Sequence, residues 1–145
     1  MTDTNAQEKD MTNTIERINP PEIFDSTKAG YSQGTVVEAG RLAFFSGQVA
    51  WTPDSSTAPN SLSEQAKIVT DHLRSCLKSV GARVQDVVLL RAYIVDLTPE
   101  RGQQVIPHIH AFLDGAQPSI TGIGVGALWG PDLQLEIEMV VRVPN

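Results

Sequence analysis

Between Leu62 and Val80 the apolar residues Leu62, Ala66, Val69, Leu73, Cys76, Leu77 and Val80 recur at spacings of three and four. That period predicts one amphipathic helix. Directly after it, Asp86–Leu97 reads DVVLLRAYIVDL, nearly all β-branched and aliphatic and interrupted by Arg91. Such a run predicts a central strand covered on both faces. A helical stripe next to a buried strand limits the chain to architectures that stack helices on a sheet.

The flanking segments extend the pattern. Ser61 or Ser63 can cap the first helix, Glu64 suits its first turn and Gly81 suits the position just past its end. After the central strand, Thr98 as N-cap and Pro99 at the first helical position predict a second helix. Its stripe is Val105, Ile106, Ile109, Phe112 and Leu113, and Pro107 inside it is expected to kink the helix or break it in two. Upstream, Gly34–Val37 and Leu42–Ala50 flank EAG, which predicts a hairpin turning at Gly40. The segment TPDSSTAPNS is loop by composition. Two last strands, about 119–128 and 133–143, are joined by WGPD. The order is β-β-α-β-α-β-β, an α+β chain with two helices on one face of a mixed sheet. The other face then needs cover, which self-association would supply.

The 145 residues suggest a single domain over 19–145, preceded by a polar tail at 1–18 that is expected to be mobile. Met11 is an alternative start within that tail. Seventeen acids against eleven bases, with no basic cluster, speak against a nucleic-acid surface. One cysteine cannot form an internal disulfide, which fits a reducing compartment. There is no run of membrane-spanning length and no signal-peptide core, so the expectation is a cytoplasmic protein.

Several residues could carry chemistry. In the last strand Leu133, Leu135, Ile137, Met139 and Val141 share one face, and Gln134, Glu136 and Glu138 share the other. The acidic face is either solvated or holds a carboxylate at a subunit interface that can activate water. Ser46, Gly47 and Gln48 end a strand. Gly47 would admit a ligand to the backbone, or it marks a bulge. His108 and His110, two apart, point to different faces of a helix and do not suit one metal. His72 reads as surface, and Cys76 as a buried, inert thiol.

NPPEIFDSTKAGYSQ, LAFFSGQVA, a helix beginning EQAKIV, DVVLLRAYIVDL and LQLEIEMVV occur in that order at natural spacing. Together they closely resemble the Rid/YjgF family of imine/enamine deaminases, over about Asn19 to Val143. The resemblance implies a chorismate-mutase-like fold and a homotrimer with clefts between subunits. It also implies cofactor-independent hydrolysis of 2-imino or 2-enamino acids. Glu136 would position water, Tyr31 would orient it, and Gly47 would line the pocket with Ser46. In the deaminating branch, an arginine in a P-x-R-S segment grips the substrate carboxylate. Here that segment is Pro118-Ser119-Ile120-Thr121, with Ile120 at the arginine's place. A charged hydrogen bond contributes roughly 1.5–3 kcal/mol, so losing the clamp weakens carboxylate binding about ten- to a hundredfold or more.

Ile120, Gly122 and Trp129 are then expected to line the pocket. Arg91 is the one base that can enter the cleft, or else it forms a salt bridge. The expected function is a hydrolase or deaminase acting on a reactive imine, enamine or related metabolite other than a standard 2-imino acid. The alternative is a non-catalytic trimer that binds a small molecule. RNA cleavage, attributed to some members, is disfavoured by the acidic balance.

Overall fold

The computed structural model describes residues 15–145. The expectations placed on 1–14, including the start at Met11, lie outside the described residues. Eight elements follow: β1 (Ile15–Ile18), β2 (Gly34–Val37), β3 (Leu42–Gln48), α1 (Leu62–Ser79), β4 (Val87–Val95), α2 (Pro99–Leu113), β5 (Ser119–Val125) and β6 (Leu135–Arg142).

The main sheet has the order β3-β6-β4-β5. β6 is antiparallel to both neighbours, and β4 pairs with β5 in parallel across the α2 crossover. Both helices cover one face. α1 buries Leu62, Ala66, Val69, Leu73 and Leu77, and α2 buries Val105, Ile109, Phe112 and Leu113. From the sheet, Leu90, Ala92 and Ile94 of β4 and Leu135, Ile137, Met139 and Val141 of β6 meet them. Fully burying one such side chain contributes roughly 1.5–3 kcal/mol, so this single layer carries most of the stability.

Both helix starts follow from their capping residues. Ser61 accepts a hydrogen bond from the Glu64 amide, and Thr98 accepts one from the Arg101 amide. Gly81 lies just past α1 with φ +66°, a left-handed conformation that favours glycine. α2 runs unbroken through Pro107, so the expected break does not occur. Proline removes one backbone bond, and the burial of Val105, Ile109 and Phe112 on both sides of it outweighs that loss.

The chain differs from its sequence reading at three further places. β2 does not form a hairpin with β3. It pairs antiparallel with β1, so Ile15–Ile18, read as tail, form a strand. Arg17 fastens that ribbon to the main body by donating to the carbonyls of Val87 and Gln85, and Thr35 donates to Val88. Gly40 is required for a reason other than a tight turn. The buried Arg142 guanidinium donates to the carbonyls of Glu38, Ala39 and Val143, and a Cβ on Gly40 would collide with it.

β4 is covered on one face only. Leu90, Ala92 and Ile94 are buried, whereas Arg91 is exposed and Tyr93 and Val95 are half-buried on the face away from the helices. Phe44 of β3 shares that open face and is 73% exposed.

Gln65 sits in the apolar helix face with no exposure. Its amide donates to the carbonyls of Pro59 and Asp132 at 2.8 Å each, and its carbonyl accepts from the Gln134 amide at 2.9 Å. All its polar capacity but one lone pair is used, so a polar group in the core is tolerated and ties α1 to the entry of β6. Asp132 completes the clasp by accepting from the Trp51 indole at 3.1 Å and the Ala58 amide at 2.6 Å. Those bonds, the Ala58 amide first, hold its carboxyl below the ordinary range.

Candidate functional site

The open sheet face is where polar chemistry collects. Glu136 stands on β6 between the buried Leu135 and Ile137, directly opposite Tyr93 of β4. Cross-strand partners share a face, so Glu136, Glu138, Tyr93 and Arg91 form one patch. Glu138 is answered twice, by the Tyr93 hydroxyl at 2.5 Å and by Arg91 Nη1 at 3.4 Å. The bond to Glu138 holds the Tyr93 phenol above its usual range, so Tyr93 keeps its proton and stays a donor. Among the described residues no cation pairs with Glu136. Burial first, and the charge of Glu138 second, push its carboxyl above the ordinary range. A carboxylate so placed is a better proton acceptor than an exposed one.

Gly47 makes room for it. The ladder between β3 and β6 shifts register between Phe45 and Gln48, a bulge that brings Gly47 against the Glu136 side chain. A Cβ at Gly47 would overlap the Glu136 carboxylate. Ser46, in the same bulge, is exposed and gives its carbonyl to the Gln48 amide at 2.9 Å.

Tyr31 lies elsewhere in the chain. It follows the Thr27–Ala29 turn and Gly30 at φ +85°, and its carbonyl accepts from Ser26. Its neighbour Ser32 bridges Ser119 at the start of β5, level with Leu89, whereas Glu136 is level with Tyr93. Four residues separate those levels, about 13 Å along the strands. One chain therefore does not bring Tyr31 to Glu136.

Nor does it bring Ile120 there. Ile120 is opposite Leu90 on the helix side and packs against the core. Gly122, opposite Ala92, also belongs to the helix side, with no atom within 4 Å of where its Cβ would be. Trp129 is 92% exposed in the connection between β5 and β6. Of the predicted residues, Glu136, Gly47, Ser46 and Arg91 gather around one patch, with Arg91 engaged by Glu138.

Sequence reasoning missed Tyr93 and a concave groove beyond Gly47. The signal for Tyr93 was available, since Arg91 and Tyr93 are two apart in a strand. The groove, about 570 Å³, is lined by Gly47, His72 and Cys76 among others. His72, read as surface, is half-buried, with Nδ1 3.1 Å from the Val49 carbonyl. Cys76 is half-buried rather than sealed in the core, and burial pushes its thiol up. Among the described residues no group of three or more His, Cys, Asp and Glu is placed to hold a metal.

The family model described as Endoribonuclease L-PSP matches residues 24–143. The chain belongs to the Rid/YjgF family. Its fold is the chorismate-mutase-like fold of that family. The crystal structure of a Rid-family protein of unknown function, YyfB from Yersinia pestis, is 34% identical. It superposes with a TM-score of 0.82, covering 89% of this chain and 98% of that one. The RutC family protein YjgH of Escherichia coli K12 is 25% identical over 120 residues, 83% of this chain and 89% of YjgH. TdcF of the same organism, provisionally named a reactive intermediate deaminase, is 28% identical over 67 residues, 46% of this chain and 50% of TdcF. No helix among the described residues of this Rid-family chain is long and apolar enough to cross a membrane.

Proposed function

We propose that this Rid-family chain is a cofactor-independent hydrolase of reactive imines or enamines that works in the cytoplasm as a homotrimer. The observation that carries this reading is the placement of Glu136: half-buried, without a cation, and pressed against a glycine. In the proposed step Glu136 takes a proton from water as its oxygen adds to the imine carbon. That proton then goes to the nitrogen of the carbinolamine, and as the C–N bond breaks Glu136 accepts the proton of the new hydroxyl group, leaving a carbonyl compound and ammonia. The separation of Tyr31 from Glu136 within one chain favours sites completed by a neighbouring subunit, and the open face with Phe44 supports such an assembly.

The substrate class follows from the charges around Glu136. Two carboxylates face one guanidinium there, and that guanidinium already serves Glu138. With Ile120 turned toward the core, no free cation among the described residues of the same chain stands beside Glu136, which favours an imine without a carboxylate.

The test uses purified protein with imines generated in situ from simple amines and from alanine, following loss of the imine absorbance. Acceleration is expected for the amine-derived imines, with about 100-fold loss in Glu136→Gln and little effect on 2-iminopropionate. Saturable binding of these compounds without turnover would instead make the chain a non-catalytic small-molecule-binding trimer.

A further inference from the structure

The groove beyond Gly47 has a polar character that can be read atom by atom. It lies between the segment after β3, which contributes Val49, Trp51 and Pro53, and the outer face of α1, which contributes His72, Ser75 and Ser79. The first wall is apolar apart from Gln48, whose amide gives one proton to the Ser46 carbonyl and keeps its oxygen and its second proton free. The polar groups of the second have spent their protons. A carbonyl has no proton to give, so His72 Nδ1 donates to Val49, and in the neutral ring Nε2 is left as a lone-pair acceptor. Ser75 donates its single hydroxyl proton to the Asp71 carbonyl at 3.3 Å, and Ser79 donates its own to the Cys76 carbonyl at 2.6 Å. All three side chains therefore present acceptors to whatever enters. At the near end Gly47 lines the groove and also touches Glu136, where carboxylates outnumber the guanidinium.

We infer that this groove binds the apolar body of a ligand that carries N–H donors and no negative charge, an aryl or alkyl amine, amidine or imine. An acceptor-rich groove rewards donors over anions, and Gly47 at its near end borders Glu136. That the ligand is the substrate, its reactive end lying against Glu136, rests on the hydrolase reading above. The binding itself does not.

Cys76, the only cysteine in the chain, lies in the groove wall and reports on its occupancy. The probes are benzamidine and benzoate, which share a ring but oppose each other in charge and in donor count. The full chain, in whatever assembly it adopts, is treated with iodoacetamide, and alkylation is followed by mass. Benzamidine at about 10 mM is expected to slow the modification severalfold and saturably, a millimolar affinity being usual for so small a ligand. Benzoate should leave the rate unchanged.

His72→Phe keeps a ring but removes the acceptor, and should weaken protection about tenfold. Ser75→Phe, at an exposed helix position, fills the groove and should abolish the benzamidine-induced rise in Tm. Glu136→Gln should keep the protection even as it removes hydrolysis, so the two readings fail separately. Equal protection by benzoate, no protection by benzamidine, or wild-type behaviour in both groove variants would overturn the inference.

Discussion

Replacing Gly47 by alanine tests the central geometry, because its effect should depend on whether Glu136 is present. The new Cβ would overlap the Glu136 carboxylate and crowd the two carbons behind it. The three atoms nearest to it all belong to one flexible side chain, so the backbone can stay in place while Glu136 swings aside. An off-rotamer glutamate costs about 0.5–1.5 kcal/mol. Alanine also gains about 0.5–1 kcal/mol over glycine within a strand, because the unfolded chain loses less freedom. The net change in wild type should thus be small, no more than about 1 kcal/mol destabilising.

In a Glu136→Ala background nothing obstructs the methyl group, and Gly47→Ala should stabilise by about 0.5–1 kcal/mol. The coupling between the two sites is then about 0.5–1.5 kcal/mol, measurable by urea denaturation of the four proteins. Hydrolysis should respond far more than stability, since moving a catalytic group by about 1 Å can lower the rate roughly 100-fold. Additive stabilities, within about 0.3 kcal/mol, would refute the claim that Gly47 exists to seat Glu136.

Three further expectations follow from the same structure. Glu136 has a folded-state pKa above its unfolded value, so the folded protein holds its proton to higher pH and wild type loses stability as pH rises from about 4 through the folded pKa. Glu136→Gln should therefore match wild type in acid and exceed it at neutral pH, and thermal melts across that window would show a constant difference if the reasoning fails. Gln65→Ala leaves two carbonyls and one amide unpaired in a buried place, and should lower stability by about 2–4 kcal/mol in urea titrations. A loss under about 1 kcal/mol would mean that the clasp is dispensable. Phe44→Glu places a charge on the open sheet face and should yield monomers by light scattering, whereas an unchanged mass would show that this face is not the interface.

The elements legible in the sequence were those with a clean period or a cap. The stripe from Leu62 to Leu77 and the caps Ser61, Thr98 and Gly81 are local signals, and they appear where expected. The alternation in LQLEIEMVV correctly separated the buried Leu135, Ile137 and Met139 from Glu136 and Glu138. What local reasoning missed depends on partners remote in sequence. EAG resembles a hairpin turn until Arg142, about a hundred residues later, fills the space beside Gly40. Asp86–Leu97 reads as buried on both sides because periodicity cannot tell a face covered by helices from one awaiting a neighbour. Ile120 was assigned to the pocket by position in a motif, while strand alternation, had it been applied from Leu90 across the ladder, places it on the core side.

The strand order has a consequence for how the chain is made. β6 is synthesised after β3, β4 and β5, yet it lies between β3 and β4. Until it emerges from the ribosome, β3 lacks its partner in the main sheet and β4 has an open edge, each offering unpaired backbone groups and apolar side chains. The main sheet can therefore close only after translation has reached Arg142, and the waiting strands are the segments on which a chaperone would act.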